Sequence, residues 1–85
     1  MQSSEKRGNN PELWLKFLET LDERLQLGLL EYLKRAASYH FESETLFIKP
    51  DSRNDYDYLT KPAVLQQMQI LAADILGVEK VVIEE

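Results

Sequence analysis

The chain has 85 residues, no cysteine and a formal net charge of −5 at pH 7, which indicates one domain and excludes disulfides and thiolate chemistry. It contains neither an apolar run of the ~18 residues that a membrane span requires nor a signal-peptide core, so we expect a cytoplasmic protein without membrane contact. Residues 11–85 carry 14 acids against 8 bases. Because such a body repels phosphate backbones, direct nucleic-acid binding is not expected.

Residues 1–10 have no periodic apolar residue and are predicted to be a disordered tail or linker. The first helix is predicted to begin with Asn10 as N-cap and Pro11 at its first position. Its apolar stripe of Trp14, Leu18 and Leu21 predicts a single buried face. Trp14 is therefore interpreted as a core residue, with a role as interface anchor as the alternative.

Asp22 is predicted to cap a second helix that ends near Ala36, and a continuous helix over residues 11–36 is the alternative. Leu25 is placed on the buried stripe of this second helix. Gly28 costs about 1 kcal/mol in a helix interior, so we interpret it as allowing a neighbour to approach closely. Leu27 and Leu30 lie off the stripe. They pack under the following hairpin or contact a partner.

Residues 37–50 alternate in the manner of a β-hairpin, with the turn near Ser43 and with Pro50 ending the second strand. His40 is expected on the surface of the first strand. The apolar repeat from Val64 to Ile75 predicts a long helix that begins near Pro62 and stops at Gly77. The β-branched residues that follow predict a last strand. The resulting order, α-α-β-β-α-β, is that of a two-layer α+β domain with a three-stranded sheet packed by helices over residues 11–85.

The segment from Asp51 to Pro62 is rich in acids and tyrosines. It fails as a calcium loop because Arg53, Tyr56 and Pro62 stand where an EF-hand needs a ligand, a glycine and a glutamate. Residues 54–59 are expected to form a turn or a short helical turn before the long helix. Nothing in the sequence pairs a nucleophile with a base or predicts a cofactor or metal site, so an enzyme is not expected.

Tyrosine and arginine are favoured in protein interfaces, and loops carry function disproportionately. The alternative is that one tyrosine packs the loop onto the core while the other is exposed. The candidate partner-binding residues are Leu27, Leu30, Arg53, Asp55, Tyr56, Asp57 and Tyr58.

Several stretches resemble the C-terminal domain of the bacterial DNA polymerase III gamma/tau subunit, the clamp-loader subunit. These are "ELWLKFLETL", "LLEYLKRA", "TLFIKP" and "YLTKPAVLQQMQILAADILGVEKVVIEE", which together cover about residues 12–84. The chain is similar, more distantly, to the N-terminal domain of the replication initiator DnaA. Both resemblances imply a type II KH-like fold.

The gamma/tau resemblance implies a non-catalytic domain that tethers the clamp loader to the polymerase catalytic subunit. The parent protein would then be an ATPase and part of the polymerase holoenzyme. The initiator resemblance implies self-association and helicase recruitment. A nucleic-acid-binding KH module is a further alternative, but the glycines, Gly8, Gly28 and Gly77, form no GxxG loop of the kind that clamps a nucleic-acid backbone.

Overall fold

The computed structural model describes residues 8–85. Its elements in chain order are α1 (Pro11–Glu23), α2 (Leu27–Lys34), β1 (Ser38–Glu42), β2 (Thr45–Lys49), α3 (Arg53–Leu59), α4 (Pro62–Leu76) and β3 (Lys80–Ile83). The predicted α+β class is confirmed. The additional helix, α3, corresponds to the short helical turn that was one of two interpretations of residues 54–59.

The three strands form one mixed sheet in the order β1-β2-β3. β1 and β2 are antiparallel and pair Tyr39 with Ile48, whereas β2 and β3 are parallel and pair Leu46 with Val81. The hairpin turn has only two residues, Ser43 and Glu44, and both have positive φ. Two consecutive positive φ values match the twist of the strands, and a glycine or asparagine normally supplies them.

The helices cover one face of this sheet. Tyr39, Leu46 and Ile48 point inward and share a single buried cluster with residues of every helix. Trp14 belongs to this cluster and stacks on Tyr39 with 4.5 Å between the ring centroids, which confirms it as a core residue. On the opposite face, His40 stacks on Phe47 at 4.5 Å.

The break between α1 and α2 lies later in the chain than predicted. Asp22 does not cap a second helix, because α1 continues through Glu23. The chain turns at Leu25, whose φ of 60° is left-handed, and α2 starts only after Gln26. The alternative of one continuous helix is wrong for the same reason, since a left-handed residue interrupts the helical hydrogen bonds.

Asn9 belongs to the folded domain, although the sequence predicted tail through residue 10. Its side-chain amide donates to the Phe41 carbonyl at 2.7 Å, and its Oδ1 accepts from the Phe41 N–H at 2.8 Å. Asn10 caps α1 as predicted, by accepting from the Leu13 N–H at 3.2 Å. The rest of the predicted tail, residues 1–7, lies outside the described residues.

The long helix α4 agrees with its prediction at both ends. Pro62 occupies its first turn, and Gly77 ends it in the left-handed conformation, with φ of 77°. Three residues connect β2 to α3 and two connect α3 to α4, so the short helix α3 is held between the sheet and α4.

Candidate functional site

The structure divides the candidate residues among five environments. Asp55 is in an ion pair, Leu27 and Tyr58 line one cleft, Arg53 and Tyr56 line a second, and Leu30 is buried. Asp57 is exposed and pairs with Arg53 within α3. The residues that the sequence grouped in one loop therefore do not form one surface.

Asp55 is a structural residue. It is only 4% exposed, and its two carboxylate oxygens accept from Arg35 Nε at 3.1 Å and from Arg35 Nη2 at 2.8 Å. Hydrogen bonds from the Arg35 guanidinium lower the pKa of Asp55, against the opposing effect of desolvation. Because this bidentate contact consumes both oxygens, Asp55 does not present its charge to a partner.

Two tyrosines extend this contact across the helices. The Arg35 guanidinium lies 4.7 Å from the centre of the Tyr32 ring, and Tyr32 stacks on Tyr58 with 4.1 Å between centroids. We call Asp55, Arg35, Tyr32 and Tyr58 the α2–α3 junction. It joins the C-terminal half of α2 to α3 through a cation–π contact and a ring stack.

A cleft of about 300 Å³ opens beside the other half of α2. We call it the α2–α4 cleft. It is lined by Leu25, Gln26, Leu27, Gly28, Leu29, Tyr58, Ala63, Val64 and Gln67. No lysine, arginine, aspartate or glutamate is among them, although 29% of the chain is charged. Depletion of charge is typical of the centre of a protein interface.

Leu25 and Leu27 present apolar surface at this cleft. Leu25 is 77% exposed and Leu27 is 48% exposed. Leu25 also holds the left-handed backbone conformation, which costs a residue other than glycine roughly 1–2 kcal/mol. The conformation has a structural role, because it ends α1: the Leu25 N–H donates to the Asp22 carbonyl at 3.0 Å and the Gln26 N–H donates to the Leu21 carbonyl at 2.9 Å, as in a Schellman motif. The exposure of the Leu25 side chain, by contrast, contributes nothing to the buried core.

Gly28 leaves open space at the same place. A Cβ built on it meets no atom within 4 Å, so the predicted close approach of a neighbouring element of this domain is wrong. Glycine in a helix nonetheless costs about 1 kcal/mol relative to alanine. The glycine therefore keeps room in the cleft rather than allowing helices of this domain to pack.

The helix starts at this cleft differ from the others. Asn10 and Ser52 cap α1 and α3 with side-chain hydrogen bonds, whereas α2 and α4 have neither a side-chain cap nor an acidic residue in the first turn. First-turn N–H groups have no partner within a helix. The first turn of α2 thus lacks a side-chain acceptor from its N-cap, Gln26, and α4 begins with Pro62, which has no N–H to be capped.

Ile70 extends this surface along α4. It follows Gln67, a lining residue, by one turn, and precedes Asp74 by one turn. Asp74 in turn binds Arg24, the neighbour of Leu25, at 2.7 Å. Of the four exposed large hydrophobic side chains of residues 8–85, Leu25 and Leu27 line the cleft, and Ile70 lies one helical turn beyond the lining residue Gln67.

The second cleft, of about 270 Å³, lies where β2 and β3 end, and is lined by Pro50, Asp51, Ser52, Arg53, Tyr56, Glu84 and Glu85. The Arg53 guanidinium lies 5.3 Å from the Tyr56 ring centre, and its Nε donates to Asp57 at 3.2 Å. These contacts hold the candidate residues of α3 within one helix. Arg53, Tyr56 and Asp57 do not line the α2–α4 cleft. Tyr58 is the one residue of α3 that does.

Leu30 was predicted to pack under the hairpin or to contact a partner as one of a pair with Leu27. It is only 5% exposed and belongs to the main core, so it offers a partner little surface. Leu29, Leu30 and Leu33 are all buried, so the covered face of α2 is wider than the predicted stripe and includes Leu30. Leu25 was misplaced for a different reason: it lies before α2, in a left-handed turn that no residue in the sequence signals.

Residues 8–85 contain no cluster of three or more histidine and carboxylate side chains that could hold a metal. Within the same range, none of the helices has both the length and the apolar character needed to cross a membrane. Comparison with protein-family models, curated proteins and solved structures gave no match to this chain. The geometry of its surfaces is therefore the basis for assigning a role.

Proposed function

We propose that this chain is a non-catalytic protein-interaction domain of the bacterial replisome. In this proposal it is the C-terminal part of DNA polymerase III gamma/tau and tethers the clamp loader to the polymerase catalytic subunit. The α2–α4 cleft receives the partner. The observation that carries the binding role is the convergence of Leu25, Leu27 and the open position at Gly28 on one uncharged cleft.

The chemistry of the cleft supports binding rather than catalysis. Its only titratable side chain is Tyr58, whose ring stacks on Tyr32. General acid–base catalysis requires a pair of groups with suitable pKa values at the reacting atoms. The cleft provides mainly apolar side chains, which suit the recognition of a short polypeptide segment.

The order of the elements and the resemblance of residues 12–84 support the replisome assignment. The mixed sheet, with β2 and β3 parallel, is compatible with the expected type II KH-like arrangement. The connection between α3 and α4 is Thr60-Lys61 and contains no glycine. With 14 acids against 8 bases in residues 8–85, these features favour a protein partner over a nucleic acid.

The test is a binding titration of the full chain against the polymerase catalytic subunit of the same bacterium. Gly28→Gln places a side chain in the mouth of the cleft without meeting another atom at Cβ, so we expect it to weaken binding about tenfold or more while folding normally. Leu25→Ser and Leu27→Ser remove exposed apolar surface and should weaken binding less. Ala73→Gln is the matched control, since Ala73 is exposed on α4 away from the cleft lining.

Each outcome separates one part of the proposal from another. If the wild-type chain does not bind the catalytic subunit, the tether role is wrong. If it binds but Gly28→Gln binds equally well, the α2–α4 cleft is not the site. Concentration-dependent self-association that Leu25→Ser abolishes would favour the initiator-like role instead. Micromolar binding of single-stranded nucleic acid that weakens with salt would favour the KH module.

A further inference from the structure

A second apolar groove runs between α1 and α2, outside the α2–α4 cleft. It is lined by Leu15, Leu18, Glu19, Asp22, Leu30 and Lys34 and has a volume of about 220 Å³. We call it the α1–α2 groove. The lining residues of α1 fall on one helical face because they follow one another at three- and four-residue spacing. Leu30 and Lys34 are one turn apart on α2, so the groove follows both helices.

The groove has an apolar floor and an exposed apolar rim. Leu30 is buried at its base, Leu18 is half-buried, and Leu15 is 54% exposed. Leu15 lies beside the buried Trp14 on α1 but faces the solvent. The helices that border this groove thus leave an apolar strip between them, which is where the ridge of a third helix packs.

The charges around the groove are mostly acidic. α1 has four acids, Glu12, Glu19, Asp22 and Glu23, against one base, Lys16. Glu19 and Asp22 form the α1 wall of the groove, and neither has a salt-bridge partner among residues 8–85. Lys34 is the single basic residue of the lining and lies on the opposite wall. A partner that fits must place positive charge against α1.

We propose that the α1–α2 groove binds a basic amphipathic helix of a partner protein. Apolar side chains of that helix at i, i+3 and i+4 spacing enter the strip between Leu15 and Leu30, and its lysines or arginines lie along Glu19 and Asp22. A second copy of this chain fits poorly, because it would bring the same acidic wall of α1 against itself. This surface is separate from the α2–α4 cleft, so it does not depend on the proposed tether role.

The test uses a fluorescein-labelled synthetic peptide of about five helical turns, with leucines on one face and lysines on the other. Its binding to the full chain is followed by fluorescence anisotropy at low and high salt. We expect saturable binding that weakens with salt, and we expect the amide NMR signals of residues 15–22 and 30–34 to shift on titration. A peptide of the same composition but with a scrambled order, which has no apolar face, is expected to bind about tenfold less tightly.

Variants separate the two parts of the recognition. Leu15→Ser is expected to weaken binding about tenfold, with Ile70→Ser as its control because Ile70 is equally exposed but belongs to another surface. The double variant Glu19→Gln, Asp22→Asn should weaken binding several-fold and reduce its salt dependence. The control of equal charge is Asp51→Asn, Glu85→Gln, at the far cleft.

Three results would overturn the proposal. One is the absence of saturable binding, and another is equal binding by the scrambled peptide. A third is an equal effect of the two charge-matched double variants, which would show general attraction to an acidic protein. If Leu15→Ser instead changes only the sedimentation of the chain, the groove is an interface between copies. Circular dichroism of each variant establishes that the fold is retained.

Discussion

The two halves of α2 differ in how completely their contacts are satisfied. At its C-terminal half, Arg35 binds both oxygens of Asp55 and Tyr32 stacks on Tyr58. At its N-terminal half, α2 has no side-chain cap, and Leu27 and Gly28 face an open cleft. The same helix thus has one end occupied by structural contacts and one end whose residues face an open cleft.

The difference between the two halves of α2 separates a partly buried charged pair, which holds the fold together, from exposed apolar side chains, which line a cleft. The buried carboxylate of Asp55 could be mistaken for part of a functional site. It is paired with Arg35 and stabilises the fold. The exposed side chains of Leu25 and Leu27, which would pass for ordinary surface residues, line the same uncharged cleft. The exposed apolar side chains, and not the ion pair, are therefore the observation that supports the proposed binding surface at the α2–α4 cleft.

The largest expected effect is on the junction. Asp55→Asn leaves the Arg35 guanidinium without its carboxylate and a buried amide with poor partners, so the Tm should fall by more than about 5 °C. The control is Asp57→Asn, which removes only an exposed pair within α3 and should change the Tm by less than about 4 °C. Thermal unfolding followed by circular dichroism measures both.

Equal losses from these two variants would show that the junction contributes no more than a surface ion pair. Binding provides the complementary readout. Asp55→Asn should leave affinity for a partner in the α2–α4 cleft nearly unchanged at temperatures where it is folded, because Asp55 does not line that cleft.

The next effect is the pH dependence of stability. The folded-state pKa of Asp55 lies below its unfolded value, so its contribution to stability is complete above the unfolded pKa and disappears as the pH falls through the folded pKa. The free energy of unfolding, measured in urea from neutral to acidic pH, should therefore fall more steeply for the wild type than for Asp55→Asn. Parallel curves for the two proteins would contradict the assignment.

Glu79 should show the opposite sign. Its hydrogen bond and charge interaction with Glu44 raise its pKa, so its effect on stability is most favourable below its unfolded pKa and is lost as the pH rises through the folded pKa. Glu79→Gln should therefore stabilise the chain slightly at neutral pH and not at acidic pH, in the same urea titrations.

The smallest expected effect is at the open end of α2. Gly28→Ala adds a Cβ that meets no other atom and improves helix propensity, so the free energy of unfolding should rise by about 0.5–1 kcal/mol. Urea denaturation measures the change. A loss of stability would mean that the glycine is needed for the fold, and the contrast between the two halves of α2 would then fail.

Elements governed by local patterns could be predicted from the sequence. The α4 boundaries follow from Pro62 and Gly77, and the hairpin follows from strict alternation around Leu46 and Ile48. The buried position of Trp14 follows from helical periodicity. These features depend on neighbours within one or two turns, which the sequence displays directly.

The connection that leads into α2 could not be predicted, because it depends on the left-handed backbone conformation of Leu25. Leucine rarely adopts a positive φ, so nothing marks Leu25 as the end of the α1–α2 connection. Because Leu25 lies in this turn and not in α2, it does not share the buried face of the helix, and its side chain is 77% exposed. The Arg35–Asp55 ion pair could not be predicted either, because the two residues are 20 positions apart and meet only after folding.

The side-chain amides at the borders of the sheet have a consequence for its behaviour at high concentration. Asn9 occupies both hydrogen-bonding groups of Phe41 on β1, and Gln69 accepts from the Val81 N–H on β3 at 3.4 Å. Unpaired border strands are templates for strand exchange and fibril growth. Because these groups are occupied, a strand of another copy could pair at Phe41 or Val81 only after the contacts of Asn9 or Gln69 were broken.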